Sequence, residues 1–279
     1  MSNMDARQIT NKSNSSFLSA FRVLPKNKRK ALYAVYAWCR YTDDIADAKK
    51  EREEKRDDML QWHEELEQTF AGNPSLTITE NLKHCITTYP INKAYFLEMI
   101  EVMQNDINGY RYESWEELIR YCHGVASTVG LMSIEIFGYT KPETKAYAEN
   151  LGIALQLTNI MRDISKDAHN NRIYVPNELL RKHQVSKRQL EDGPADENWI
   201  AMMSEFSEKI RTYYHKAKEL LPDDDRKKQL PSIIMCRVYF KLFNKIIKRH
   251  FEVFGPTIKI GKWKRISIAV HTWLTEKYR

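Results

Sequence analysis

Three carboxylates stand within five residues in the stretch CRYTDDIAD, Cys39 to Asp47, of a chain whose formal charge is +7. On a helix, residues three and four apart share a face. Tyr36, Arg40, Asp43 and Asp47 therefore line up as one stripe, a cation and two carboxylates, while Asp44 points about 100° away from Asp43. Taken alone, such a stripe reads as a surface ion-pair ladder, Arg40 to Asp43 or Asp44, and contributes little. A second stripe changes that reading. In LQLTNIMRDISKD, Gln156, Asn159, Asp163 and Asp167 follow at spacings of three, four and four, with Arg162 beside them. The surrounding Leu151, Ile153, Leu155, Leu157, Ile160, Met161 and Ile164 predict a largely buried helix, on which acid and amide side chains need partners.

Two such helices facing each other would gather Asp43, Asp47, Asp163 and Asp167 in one cavity, where bare carboxylates do not pack without cations. Oxygen ligands without His or Cys suit a hard ion such as Mg²⁺, which binds through a few carboxylates together with substrate phosphates. Arg40 and Arg162 would grip phosphate oxygens. The chemistry expected is a Mg²⁺-bridged diphosphate held between two acidic helices.

The elements that must position these stripes are helical. Only nine Gly and nine Pro occur in 279 residues, and the abundance of Leu, Lys, Glu, Ala and Ile argues for an all-α chain with short connections. Pro25 marks a turn before KNKRKALYAVYAWCRYTDDIAD, in which Leu32, Val35, Tyr36, Cys39 and Ile45 form an apolar stripe. The mixed-charge run KKEREEKRDDMLQWHEELEQ predicts a solvated helix, and turn-rich breaks flank a helix carrying Leu82 and Ile86. Further helices are expected at about 93 to 109, 114 to 137, 142 to 168, 196 to 221 and 231 to 252, with Pro176 at a first helical position. No repeat or linker divides the chain, so residues 1–279 are read as a single domain. The four cysteines, Cys39, Cys85, Cys122 and Cys236, form no CxxC pair and read as reduced, packed thiols. The opening segment has no apolar h-region and no run of 18 apolar residues follows, which reads as a cytoplasmic chain. The basic excess alone does not choose between nucleic acid, a membrane surface and an anionic small molecule.

DDIAD and NIMRDISKD resemble the paired aspartate-rich motifs of the squalene/phytoene synthase family, the head-to-head trans-isoprenyl diphosphate synthases. SNSSFLSAF, YCHGVASTVG, LGIALQLTNIMRDISKDAHNNRIYVP and CRVYF resemble further family blocks in family order. The match looks closest to bacterial members that join two farnesyl diphosphates. The resemblance implies an isoprenoid-synthase-type helical bundle around a central cavity. It implies Mg²⁺, two or three ions, held by Asp43 and Asp47 on one helix and by Asn159, Asp163 and Asp167 on the other. It places Ser13, Asn14, Ser15 and Ser16 in a substrate-contacting segment and Tyr36, Arg40, Gln156, Arg162 and Tyr239 on the diphosphate side, with Phe17, Tyr36 and Tyr121 as aromatic faces for carbocations. The SNSS run departs from the histidine- or lysine-containing version of its block. The implied reaction condenses two farnesyl diphosphates through presqualene diphosphate to dehydrosqualene (4,4′-diapophytoene), a first step of C30 carotenoid biosynthesis, with no NADPH.

Several features carry two readings. Gly124, Ala126, Ser127 and Gly130 leave room for a prenyl chain or for close helix packing. His123 is read as packed or solvated, and Tyr239 as core apart from the resemblance. The basic tail KIGKWKRISIAVHTWLTEKYR, with Trp263 and Trp273 among Lys259, Lys262, Lys264 and Arg265, reads preferentially as a final helix packing its tryptophans on the core. Its functional reading is peripheral membrane contact, since a C30 hydrocarbon must leave into lipid. Rivals to the C30 reading are a phytoene synthase joining C20 chains and an NADPH-dependent squalene synthase. A noncatalytic helical scaffold predicts no Mg²⁺-dependent diphosphate binding. A nucleic-acid binder predicts salt-sensitive affinity, and no matching motif supports it.

Overall fold

Pro25 offers no backbone N–H, and the chain turns helical directly after it. Helix α1, Lys26–Asp47, contains no Gly or Pro, and it buries Leu32, Val35, Trp38, Cys39, Thr42 and Ile45 while Tyr36, Arg40 and Asp43 stay half-buried. The structure, a computed structural model, describes residues 21 and 23–278, so the expected substrate segment Ser13, Asn14, Ser15, Ser16 and Phe17 lies outside the described residues. Trp38 anchors α1 by stacking on Trp62 at 5.7 Å and meeting the edge of Phe96 at 4.8 Å.

Helix α2, Arg52–Phe70, arises from the mixed-charge run and buries only Met59, Trp62, Leu66 and Thr69. Helix α3, Thr77–Thr88, packs on α1. Helix α4, Lys93–Asn108, starts where the Asn92 side chain accepts the Ala94 N–H at 2.9 Å. It stops at Gly109, whose φ of 68° is the left-handed conformation that ends helices.

The pattern predicts one helix over 114 to 137, and a continuous rod is found there, but its centre is not α-helical. Between α5, Trp115–Cys122, and α6, Thr128–Phe137, residues His123–Ser127 form a π-turn closed from the Thr128 N–H to the His123 carbonyl. The Thr128 hydroxyl takes the Gly124 carbonyl at 2.7 Å, the group its own N–H would bond in an α-helix.

Helix α7, Glu143–His169, is central, with Leu151, Ile153, Leu155, Leu157, Ile160, Met161 and Ile164 all buried as their density in the sequence requires. It approaches the π-turn so closely that a Cβ on Gly152 would stand 2.6 Å from the Ser127 backbone. Gly152→Ala is therefore expected to destabilise by about 1–3 kcal/mol through overpacking. A urea titration checks this: a lower midpoint at unchanged slope is the expected outcome, and a wild-type midpoint contradicts it.

Short helices α8, Asn177–Lys182, and α9, Lys187–Asp192, lead to α10, Glu197–Leu220, which packs along α7. Pro176 precedes α8 rather than opening it. The turn Asp223–Asp225 precedes α11, Leu230–Lys248, and the last helix is α12, Lys262–Lys277. Asp225 is wholly buried in that turn. It accepts from the Thr140 N–H at 2.8 Å, the Lys141 N–H at 2.9 Å and the Thr140 and Thr144 hydroxyls at 2.7 and 2.8 Å, which ties the α6–α7 connection to α11.

Among the described residues there is no strand, one apolar core runs through the bundle, and no helix is long and apolar enough to cross a membrane. The four cysteines are free, three of them buried. One expectation fails. Trp263 and Trp273 do not pack on the core: they are 82% and 43% exposed, because α12 turns Ile268, Ala269, Thr272 and Glu276 inward instead.

Candidate active site

Helices α1 and α7 present their polar stripes to one end of a cavity of about 240 Å³. Tyr36, Arg40 and Asp43 of α1, Gln156 and Asn159 of α7 and Tyr239 of α11 line that end. Beyond them the walls turn apolar, with Val125, Val129, Ile134, Phe137, Leu151 and Met235. The small residues serve both expected ends. Ala126 and Gly130 line the cavity, while Gly124 meets the Val102 side chain and Gly152 meets the π-turn.

A second, polar chamber of about 180 Å³ adjoins the first and shares Asp43, Val125 and Gln156 with it. Asp47, Asp106, Tyr121, Arg172 and Tyr174 also line it, with Ala46 and Met103. Asp106 accepts from the hydroxyls of Tyr121 and Tyr174, each at 2.9 Å, and these two rings stack at 5.0 Å. Asp167 borders the same Arg172 and Tyr174 from the other side.

Negative charge in this mouth exceeds the positive charge available to it. Burial pushes the Asp43 carboxyl up to about 7, with Arg40 opposing and Asp47, Asp44 and Asp106 adding to the rise. Burial raises Asp167 to about 7 as well, and Asp163 and Asp106 add to it against Lys166 and Arg172. Asp106 is raised to about 6 by burial and Asp47, against Arg172 and the two tyrosine hydroxyls. Asp106 interacts with Asp43, with Asp47 and with Asp167, and so couples the α1 and α7 stripes.

The arginines are each held by a carboxylate. Arg40 pairs with Asp44 at 2.5 Å, so the outward member of the DDIAD run is the one that takes the ladder contact. Arg162 forks onto its own neighbour Asp163, through Nε to Oδ1 at 2.9 Å and through a second, shorter contact. Arg172 pairs with Asp47 and also donates to the Ala46 carbonyl at 3.0 Å. Asp163 thus faces its own arginine, Asp43 and Asp47 line the polar chamber beside Arg172, and Asp167 touches Arg172 from outside that chamber, so the four carboxylates do not share one cavity. His123 pairs with Glu98 at 2.5 Å, as a packed residue would. Tyr239 is buried in the cavity wall and Tyr121 in the mouth.

Asp106, Arg172 and Tyr174 were not singled out by spacing. Asp106 stands alone on α4 with no acidic partner one turn away, so only the fold reveals it. Arg172 and Tyr174 lie inside NNRIYVP, part of the block that carries the family resemblance.

Among the described residues no three Asp, Glu, His or Cys side chains converge tightly enough to form a metal cage as they stand. The donor chemistry nevertheless fits a hard cation. The available ligands are oxygens, their carboxyls titrate high for want of positive charge, and the buried Asn159 Oδ1 accepts no hydrogen bond among the described residues.

The family model described as squalene/phytoene synthase matches residues 10–264. The chain belongs to the squalene/phytoene synthase family. Its helices have the isoprenoid-synthase-type fold of that family, whose members are transferases of isoprenoid and carotenoid biosynthesis that bind prenyl diphosphates. Over 274 residues it is 31% identical to a 15-cis-phytoene synthase of Synechococcus elongatus, across 94% of this chain and 89% of that protein. It is also 31% identical to a presqualene diphosphate synthase of Rhodopseudomonas palustris, across 91% of each. Among solved structures, a dehydrosqualene synthase crystallised with a ligand superposes with a TM-score of 0.88 at 26% identity, covering 98% of this chain and 96% of that one. Within the family the squalene synthase HpnC from Alicyclobacillus acidocaldarius is similar too, with a TM-score of 0.77 at 25% identity over 88% and 93% of the chains.

Proposed function

We propose that this enzyme is a dehydrosqualene synthase, joining two farnesyl diphosphates head to head through presqualene diphosphate into dehydrosqualene. The observation that carries the C30 product is the near-full-length likeness to a dehydrosqualene synthase, at a TM-score of 0.88. The 31% identity to phytoene synthases favours a second reading, the same condensation on C20 geranylgeranyl diphosphates.

The chain's own groups divide the work. Arg40 and Arg162 exchange Asp44 and Asp163 for diphosphate oxygens, and Tyr36, Gln156 and Tyr239 orient the same head group. Asp43, Asp47, Asn159, Asp163 and Asp167 would hold Mg²⁺, and when bound it supplies positive charge that draws electrons onto a departing diphosphate. The first farnesyl C–O bond ionises, the double bond of the second farnesyl attacks the allylic cation, and loss of a proton closes the cyclopropane. Loss of the second diphosphate, rearrangement and loss of a second proton give the conjugated triene, with no reductant consumed. The apolar walls around Val129, Ile134, Phe137 and Leu151 exclude water that would quench these cations. The ring of Tyr121, held by Asp106, offers a face to positive charge at the mouth.

The test is purified protein with Mg²⁺ and farnesyl or geranylgeranyl diphosphate, without and with NADPH, and products identified by mass spectrometry. A C30 triene from farnesyl diphosphate without NADPH is the expected result. Squalene formed only with NADPH, or reaction of the C20 substrate alone, replaces it with the corresponding sister activity. No product from folded, Mg²⁺-supplied protein rejects the enzymatic assignment.

A further inference from the structure

Helix α12 meets the core through a mixed face on which Ile268 and Ala269 stand beside polar groups. Its inward face carries polar groups: the buried Glu276 carboxylate takes Arg226 at 2.9 Å and Arg237 at 3.2 Å, and Arg237 also reaches the Thr272 hydroxyl at 3.2 Å. The opposite face presents Trp263, Ile266, Val270 and Leu274 at spacings of three, four and four, with Trp273 beside them. These five side chains are between 38% and 82% exposed. A helix that packs on a core normally turns such a stripe inward, and a contiguous apolar stripe left outside marks an interface.

Charge selects the occupant. Exposed Lys259, Lys262 and Lys264 gather at the N-terminal end of the stripe and Lys277 stands at the other, over the Trp273 ring at 5.0 Å. Glu276, the one acidic residue between 259 and 278, is buried and matched by two arginines, so every charged side chain on the outer surface of this segment is a cation. A second copy of the same face would bring like charges together. A surface of anionic lipid supplies phosphate for the lysines, a headgroup layer for the tryptophans and acyl chains for Val270 and Leu274.

We propose that α12 lies in the interfacial layer of an anionic lipid bilayer and docks the enzyme there. Helix α12 packs on α11, and α11 lines the reaction cavity with Met235 and Tyr239, so docking brings the apolar chamber to within about one helix diameter of lipid. The inference stands on this surface, whichever prenyl diphosphate the enzyme takes.

The full chain is to be floated with vesicles of phosphatidylcholine mixed with phosphatidylglycerol and with vesicles of phosphatidylcholine alone. Flotation with the anionic vesicles, lost in about 1 M salt and reduced roughly tenfold or more by the triple variant Trp263→Ser/Val270→Ser/Trp273→Ser, is the expected result. These side chains are exposed, so the variant should keep the wild-type melting temperature. Quenching of wild-type tryptophan fluorescence by brominated anionic lipid tests insertion without any variant. No flotation, equal flotation with both vesicle types or no quenching overturns the proposal. So does a wild-type dimer in sedimentation velocity that the triple variant abolishes, which assigns the stripe to a second copy.

Discussion

Asp43→Asn is expected to lower product formation from prenyl diphosphate by about 10³-fold while making the protein more heat-stable. The loss follows from removing one of the carboxylates proposed to bring cations to the diphosphate. The gain follows from the charge balance of the mouth. Burial and the neighbouring acids hold the folded-state Asp43 carboxyl at about 7, above its ordinary value of 3.8. The folded protein therefore binds more protons than the unfolded chain between these values. The charged carboxylate destabilises the fold increasingly as pH rises through that window. Asparagine removes this penalty. The variant should melt higher than wild type by roughly 2–5 °C at neutral pH and above, and the difference should vanish as pH falls toward 4. Differential scanning fluorimetry across pH, beside the product assay, checks both halves. A variant that is inactive but less stable at every pH would show Asp43 to be a structural partner of Arg40.

Asp225→Ala should be the most damaging change away from the mouth, at about 3–5 kcal/mol. The substitution leaves the Thr140 and Lys141 N–H groups and two hydroxyls unpartnered in the interior, and Lys228 loses its ion pair at 3.5 Å. These hydrogen bonds hold the Asp225 carboxyl well below the ordinary carboxylate range. Its stabilisation is therefore fully present above the unfolded-state value of 3.8 and is lost as pH falls through the lower, folded-state value. Wild type should shed stability on acidification below about pH 4 more steeply than the variant. Equilibrium denaturation at neutral and acid pH decides this, and equal acid profiles refute the assigned role.

Both acidic stripes were legible in the sequence because each lies within a single helix, where spacing alone sets which side chains share a face. The family followed from their pairing. Asp106 was not legible, since its partners come from α1, α5 and α7 and the connection after α7, and no local spacing encodes a contact between distant segments. The tail misled for another reason. Apolar periodicity tells which residues form a stripe but not which side of the helix meets the protein. On α12 the buried arginine–glutamate contacts decide the orientation instead.

The π-turn at His123–Ser127 has a consequence for how the rod from α5 to α6 tolerates length changes. It holds one residue more per turn than the helices on either side, so the side chains after it are rotated by about 100° from where an unbroken α-helix would carry them. The rod is thus two amphipathic patterns spliced out of phase, and the extra residue is the splice. Removing one residue from this segment would join the patterns in a single frame. The helix would survive the edit, but Val129, Gly130 and Ser133 would swing off the cavity wall and other side chains would take their place in the chamber.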